Sequence, residues 1–245
     1  MKHLFLIGIG TGNPDHLTQE AISAIAEADL FLVPRKGSSK SDLVDLRVRI
    51  IGQVRDNPAV AYFDMPVRDE MQPYADRVHA WHDEIARRWA TSLAERPDAD
   101  KVALLVWGDP SLYDSTLRIA ERLMPRPKIS VVAGITSLQA LTAAHAMPLN
   151  DLNAPVTITT GRRLRDEGWP EGAETVVVML DGKCTFQRLK GTDYDIWWGA
   201  YLGMPEQVLA AGRLSDVGPK IVHMRARARE AHGWIMDTYL LRRRT

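Results

Sequence analysis

Basic side chains gather at two places in this chain. Arg35, Lys36 and Lys40 fall within one loop-like stretch, and Arg162, Arg163 and Arg165 follow a short apolar run. Clustered guanidinium and ammonium groups can hold an anionic ligand, arginine through paired parallel hydrogen bonds. Lys plus Arg number 31 and Asp plus Glu number 31, so any pull on an anion must be local. The same composition also describes ordinary solvated loops. A nucleic-acid partner would call for a basic excess, and the balance shows none.

A second group of residues combines glycine with short polar side chains. Gly8, Gly10 and Gly12 alternate after an apolar run and lead into Asn13-Pro14-Asp15. Gly108-Asp109-Pro110 closes the run 102–107, and Gly134-Ile135-Thr136-Ser137 follows the run 128–132. Glycine permits a sharp turn and proline donates nothing to a ladder, so each strand must stop there. Asp109 is then left at the carboxyl end of a buried strand, where open α/β sheets bind ligands. It reads equally as a turn-forming residue. Thr136 suits a helix N-cap, and the amides and hydroxyls there could also hold a polar ligand.

The elements that must position these residues follow from the hydrophobic pattern. Strands are expected at 3–9, 29–34, 60–63, 102–107 and 128–132, each a short apolar run of the kind buried on both faces of a parallel sheet. Helices are expected at 17–28, 42–51, 71–93 and 117–123 and after Thr136. The 71–93 segment carries Tyr74, Val78, Trp81, Ile85 and Trp89 at spacings of three and four. His79 and His82 sit one turn apart on it, but nothing completes a ligand set, so they read as surface histidines and no metal is expected. Residues 148–155 have loop composition, dividing the chain into domains 1–150 and 151–245. Beyond it strands crowd together at 156–160, 175–180, 195–202, 207–214 and 220–225, with helical room at 184–189 and near the end. That spacing favours a mixed or antiparallel sheet. Arg242-Arg243-Arg244 reads as a solvated tail.

Length and composition set outer bounds. With 245 residues, 45% apolar and 25% charged, the chain has the make-up of a globular protein able to bury a sizeable core. The single cysteine, Cys184, allows no internal disulfide and fits a reducing compartment. The first apolar run is too brief for a signal peptide, and no run approaches a membrane span. A soluble, cytoplasmic protein is expected. A dinucleotide fold would place G-x-G-x-x-G after the first strand and an acid at the end of the second. Here the spacing is G-x-G-x-G, Asp29 begins the second strand, and Val33-Pro34-Arg35 ends it. A nicotinamide-dependent oxidoreductase is therefore a minor alternative, and a non-catalytic nucleotide-binding regulator would leave the paired basic loops unexplained.

Five stretches taken in order carry a family resemblance: Gly8 to Pro14, Gly108 to Tyr113, Gly134 to Ser137, Val176 to Asp181, and Gly203 to Gln207. Together they resemble the tetrapyrrole (precorrin) methyltransferases over nearly the whole chain. Thr11 and Ala133 stand where many members have proline. The resemblance implies two α/β domains, the N-terminal one with a mostly parallel sheet and the C-terminal one with a mixed sheet. It further implies S-adenosylmethionine in a cleft between them, leaving as S-adenosylhomocysteine, and a homodimer. On that basis Thr11, Gly108, Asp109, Tyr113, Thr136, Ser137, Leu180, Leu202, Pro219 and Ile221 are expected at the cofactor. Arg35, Lys36, Lys40, Arg162 and Arg163, with Arg165 beside them, are expected at a polyanionic tetrapyrrole.

Within the family, residues 29–47, 177–187 and 196–214 most resemble members that methylate carbon 1 of precorrin-5 in corrin-ring biosynthesis and release the extruded acetyl group as acetate. A member acting at another ring position is the near alternative. Acetate release needs a water and could use a base; Asp15, His16, Tyr113 and Asp114 are the candidates on ligand-facing loops, with nothing to separate them.

Overall fold

The computed structural model describes residues 1–35, 41–67 and 74–244. Contacts divide the chain into two compact units, Met1–Ile135 and Thr136–Thr245.

The first unit is built on five parallel strands, β1 (His3–Gly8), β2 (Leu30–Arg35), β3 (Val60–Asp64), β4 (Lys101–Val106) and β5 (Lys128–Val132), ordered β3-β2-β4-β1-β5. Alternating side chains point to opposite faces of a strand. Leu4, Leu6, Leu30, Leu32, Val102, Leu104 and Val106 accordingly share one core with Ile85, Ala86 and Trp89 of α3 (Tyr74–Ala94) and with Ile119 and Ala120 of α4 (Thr116–Ala120). The intervening Phe5, Ile7, Phe31, Val33, Ala103 and Leu105 are also buried. The remaining helices of this unit, α1 (Gln19–Glu27) and α2 (Ser41–Val54), contact β1 and β2 respectively. Both faces are thus covered, which is why these strands read as unbroken apolar runs. Thr18 starts α1 by accepting from the Ala21 N–H at 3.0 Å.

The second unit carries a mixed sheet of β6 (Val156–Thr160), β7 (Thr175–Met179), β8 (Tyr194–Ala200), β9 (Val208–Arg213) and β10 (Asp237–Arg243), ordered β6-β7-β10-β8-β9. Only the β6–β7 pair is parallel. Its helices are α5 (Ser137–Ala144), α6 (Gly161–Glu167) and α7 (Leu214–His232).

Several sequence expectations are corrected here. The division falls ahead of the loop at 148–155, because α5 packs on β8 and β10. Residues 220–225 are helical, not a strand: they lie inside α7, whose buried Leu214, Gly218, Ile221 and Ala228 recur at spacings of four, three and seven. The helix expected near the C-terminus is the last part of α7, and a strand not expected from the sequence, β10, follows it as the middle of the sheet. Arg242 and Arg243 therefore belong to β10, and Arg244 pairs with Asp195 at 2.7 Å, so this segment is not a solvated tail. His82 is a buried residue and not a surface one. No described helix is long and apolar enough to cross a membrane.

Candidate active site

In the first unit, the strand order sends the chain from β1 towards β2 and from β4 towards β5, on opposite sides of the β4–β1 pair. Their carboxyl ends therefore frame a switch point, the place where sheets of this kind receive ligands. Three glycine-bearing loops meet there. Gly10 and Gly108 exchange backbone hydrogen bonds, at 2.7 Å from the Gly108 N–H and 3.2 Å from the Gly10 N–H. A side chain on Gly8 would put its Cβ 2.7 Å from Gly134 Cα, and one on Gly134 would run into Gly8 and the Gly108 carbonyl. Backbone packs directly on backbone, which only glycine permits.

Asp109 ties the junction together. Its Oδ1 accepts from the Ser111 N–H at 2.8 Å and the Ser111 hydroxyl at 2.5 Å, and its Oδ2 accepts from the Gly134 N–H at 2.8 Å. Burial alone would raise this carboxyl's pKa, but the three donors outweigh it and hold the group below the usual carboxylate range. The turn-forming reading of Asp109 holds, and the turn lies at the carboxyl edge of β4. Tyr113, at φ +49°, stands 43% exposed on the same loop. Ser115 precedes α4 without a capping bond; the Asp114 carboxylate takes that part, accepting from the Thr116 N–H at 2.6 Å. His16 packs against Gly10, and its Nδ1 lies 3.4 Å from Thr11 Oγ1. Asp15 is exposed.

Arg47 escaped the sequence reading. It sits on α2, donates from Nε to the Leu105 carbonyl at 3.1 Å, and places its guanidinium 5.6 Å from the Trp107 ring centre. Although partly accessible, it is surrounded by enough protein to be pulled down to about 10, with Asp114 opposing, so it remains a cation at neutral pH. Arg35 stacks on Tyr62 at 3.8 Å. Lys36 and Lys40 lie outside the described residues.

In the second unit, Thr136 caps α5, accepting from the Leu138 N–H at 3.1 Å while Gln139 reaches back to the Thr136 N–H and hydroxyl. Among the described residues the neighbouring Ser137 Oγ is buried with no hydrogen-bond partner, a group whose desolvation a ligand could offset. Leu180, immediately after β7, adopts φ +54° and is 67% exposed. A large apolar side chain held out to solvent in the left-handed region carries a conformational cost that a binding role would explain. Leu202 is buried and Ile221 is fully buried, leaving Ile221 no surface for a ligand within this unit. Pro219 lines a separate cavity of about 440 Å³ with Phe186, Ser215 and His223. Leu180, Leu202 and Ile221 are not among that cavity's lining residues. Arg163 pairs with Glu167 at 2.7 Å and Arg165 with Asp166 at 2.9 Å. Arg162 is exposed beside them at the start of α6.

Asp29 bears on the dinucleotide alternative. Its carboxylate accepts from the Lys101 N–H at 2.8 Å, at the amino end of β4, the edge opposite the one where a ribose would be bound.

Comparison with known proteins agrees with this arrangement. The family model described as Tetrapyrrole (Corrin/Porphyrin) Methylases matches residues 3–218. A precorrin-6A synthase [deacetylating] from Sinorhizobium sp is 45% identical over 251 aligned residues, spanning 99% of this chain and 96% of the relative. A crystal structure of a cobalamin synthesis related protein (CobF) from Corynebacterium diphtheriae superposes with a TM-score of 0.85 at 40% identity, covering 99% of this chain and 98% of that one. The fold alone is shared with uroporphyrin-III C-methyl transferase from Thermus thermophilus, solved in complex with S-adenyl homocysteine. That match has a TM-score of 0.60 at 20% identity and covers 98% and 96% of the two chains. Glycine-built loops at the sheet's switch point and a match running through both units lead to one assignment: this chain belongs to the tetrapyrrole (corrin/porphyrin) methylase family.

Proposed function

We propose that this protein is an S-adenosylmethionine-dependent C-methyltransferase of corrin-ring biosynthesis. In this reading it methylates carbon 1 of precorrin-5 and releases acetate, giving precorrin-6A. The observation that carries the reading is the 45% identity with the deacetylating synthase along almost the full length of both chains. A shared fold would leave the ring position open; identity of that extent favours this member over one acting elsewhere on the ring.

The residues present suit the cofactor. The Ser137 hydroxyl, buried without a partner among the described residues, and the exposed Leu180 are polar and apolar groups left for a ligand. The proposed contacts are Thr11, the Gly108–Tyr113 loop, Thr136, Ser137, Leu180 and Leu202, with Pro219 nearer the second unit's cavity. When bound, S-adenosylmethionine supplies an activated methyl group on a sulfonium. The chain itself has to orient the accepting carbon and exclude water, and alignment of this kind accounts for a large share of rate acceleration in two-reactant chemistry. Asp109 serves by fixing the loop, and its lowered pKa makes it a poor base for the reaction. Arg35, Lys36, Lys40, Arg162 and Arg163 are proposed to receive the substrate's carboxylates, with Arg163 also engaged by Glu167. For acetate release, Asp114 is engaged in capping α4, and His16, which packs against Gly10, is proposed to activate a water. The enzyme is proposed to act in the cytoplasm as a homodimer.

Incubation with precorrin-5 and S-adenosylmethionine, followed by mass analysis and an acetate assay, tests this. The expected result is a product gaining one methyl and losing the acetyl carbons, with one acetate per turnover. A methylated product without acetate would remove the deacetylating assignment. Turnover of a different precorrin alone would move the methyl to another ring position.

A further inference from the structure

One buried carboxylate in the second unit has no part in the site as described so far. Asp181 follows the exposed Leu180 and accepts four hydrogen bonds. Its Oδ1 takes the Lys183 N–H at 3.0 Å and the Thr185 hydroxyl at 2.9 Å, and its Oδ2 takes the Thr185 N–H at 2.5 Å and the Tyr239 hydroxyl at 2.7 Å. Tyr239 comes from β10, so the loop is moored to the middle strand of the sheet. Burial, and then the Asp181 charge, raise the Tyr239 phenol well above its ordinary range, so it remains a donor throughout the working pH range. The same carboxylate touches a second loop. A Cβ on Gly161 would collide with the Asp181 side chain, and the Thr185 hydroxyl lies 3.2 Å from the Gly161 carbonyl. Gly161 opens α6 and directly precedes Arg162 and Arg163.

β6 and β7 are parallel neighbours, so both loops leave the same carboxyl edge. One presents Leu180 and the other presents the arginines. We infer that Asp181 is a positioning residue that clamps these two loops together, holding Leu180 out for the cofactor while fixing the start of α6 for the substrate's carboxylates. The clamp explains how Leu180 (φ +54°) and Cys184 (φ +52°) persist in left-handed conformations, which need surrounding structure to over-determine them. The inference rests on the proposed cofactor site and goes beyond it by naming what holds that site in shape.

The test is calorimetric titration of the full chain with S-adenosylhomocysteine, together with KM and kcat for S-adenosylmethionine. In Asp181→Asn one acceptor oxygen becomes a donor facing other donors, so the loop visits its binding shape less often. If that shape is held a tenth of the time, Kd and KM rise about tenfold while kcat at saturation changes little. Tyr239→Phe and Gly161→Ala should shift Kd in the same direction. Ile196→Val, a core change on β8, provides a destabilised control whose Kd should stay at the wild-type value. Wild-type-like affinity in folded Asp181→Asn overturns the inference. So does an equal shift in Ile196→Val, or, where Asp181→Asn does not fold, unchanged affinity in both other variants. A wild-type chain that does not bind S-adenosylhomocysteine overturns the underlying cofactor reading instead.

Discussion

Asp109→Asn is the sharpest test of how the ligand edge of the first unit is held. The aspartate accepts three hydrogen bonds on two oxygens, from Ser111 on one side and the Gly134 N–H on the other. Asparagine keeps the size but has a single acceptor oxygen. Turned towards Ser111, its amide N–H₂ faces the Gly134 N–H; turned the other way, it faces the Ser111 N–H. At least one charge-assisted bond is lost in either pose, and such bonds are worth about 1.5–3 kcal/mol each. Because Asp109 is partly accessible, water softens the loss, and a fall in stability of about 2 kcal/mol is expected. For a chain of this length that is a Tm lower by roughly 4–8 °C, or a matching drop in urea midpoint followed by tryptophan fluorescence. The pH dependence has a definite sign. The folded pKa of Asp109 lies below its ordinary value, so its contribution is complete above the unfolded carboxylate pKa, about 3.9. It is lost as pH falls through the folded value. Wild type and variant should therefore differ at neutral pH and converge in acid. A variant within about 0.5 kcal/mol of wild type at neutral pH, or a gap that persists unchanged in acid, would refute the reasoning.

Three further predictions follow from other parts of the molecule. Gly134→Ala drives a methyl into the Gly8 and Gly108 backbones, so a loss of about 3 kcal/mol is expected, measured by denaturant unfolding; near-neutrality would mean the loops can separate freely. Arg225→Met breaks the Arg225–Asp237 pair, 2.9 Å apart with both side chains largely buried, and among the described residues leaves Asp237 with only the Trp198 indole donor. A cost of about 3 kcal/mol is expected for such a broken pair, and thermal melts of the variant measure it. Cys184 is buried, and burial raises its thiol above the ordinary range with Arg225 only partly opposing. A disulfide reagent at pH 8 should label the native chain far more slowly than the unfolded one, since the thiolate is the reactive form; equal rates would contradict the packing around it.

The parts of this molecule legible in sequence are those where one residue type is physically compelled. Gly8 and Gly134 had to be glycine because backbones meet there, Gly108 turns at φ +64°, and the strands of the first unit had to be apolar throughout because both faces are covered. Elements whose signals compete were harder to read. Ile221 and Val222 look like strand residues, and Gly218-Pro219 looks like a break, yet Leu214, Ile221 and Ala228 lie on one buried helical face and tertiary burial prevails over local propensity. Arg242 and Arg243 look like a solvated end. They are carried into the sheet because Tyr239, Leu240 and Leu241 before them are buried, and a strand in the middle of a sheet extends its neighbours' ladders. Asp181 was visible in the sequence as the end of one resembling stretch, Val176 to Asp181, with no role attached to its side chain. Its donors come from Lys183, from Thr185 and from Tyr239, and the last lies 58 residues further on, a separation that no local pattern reports. Chemistry-bearing side chains near a turn can be found from spacing, but the groups that hold the turn in shape come from distant strands. The site's supporting residues therefore become identifiable only when the sheet is assembled.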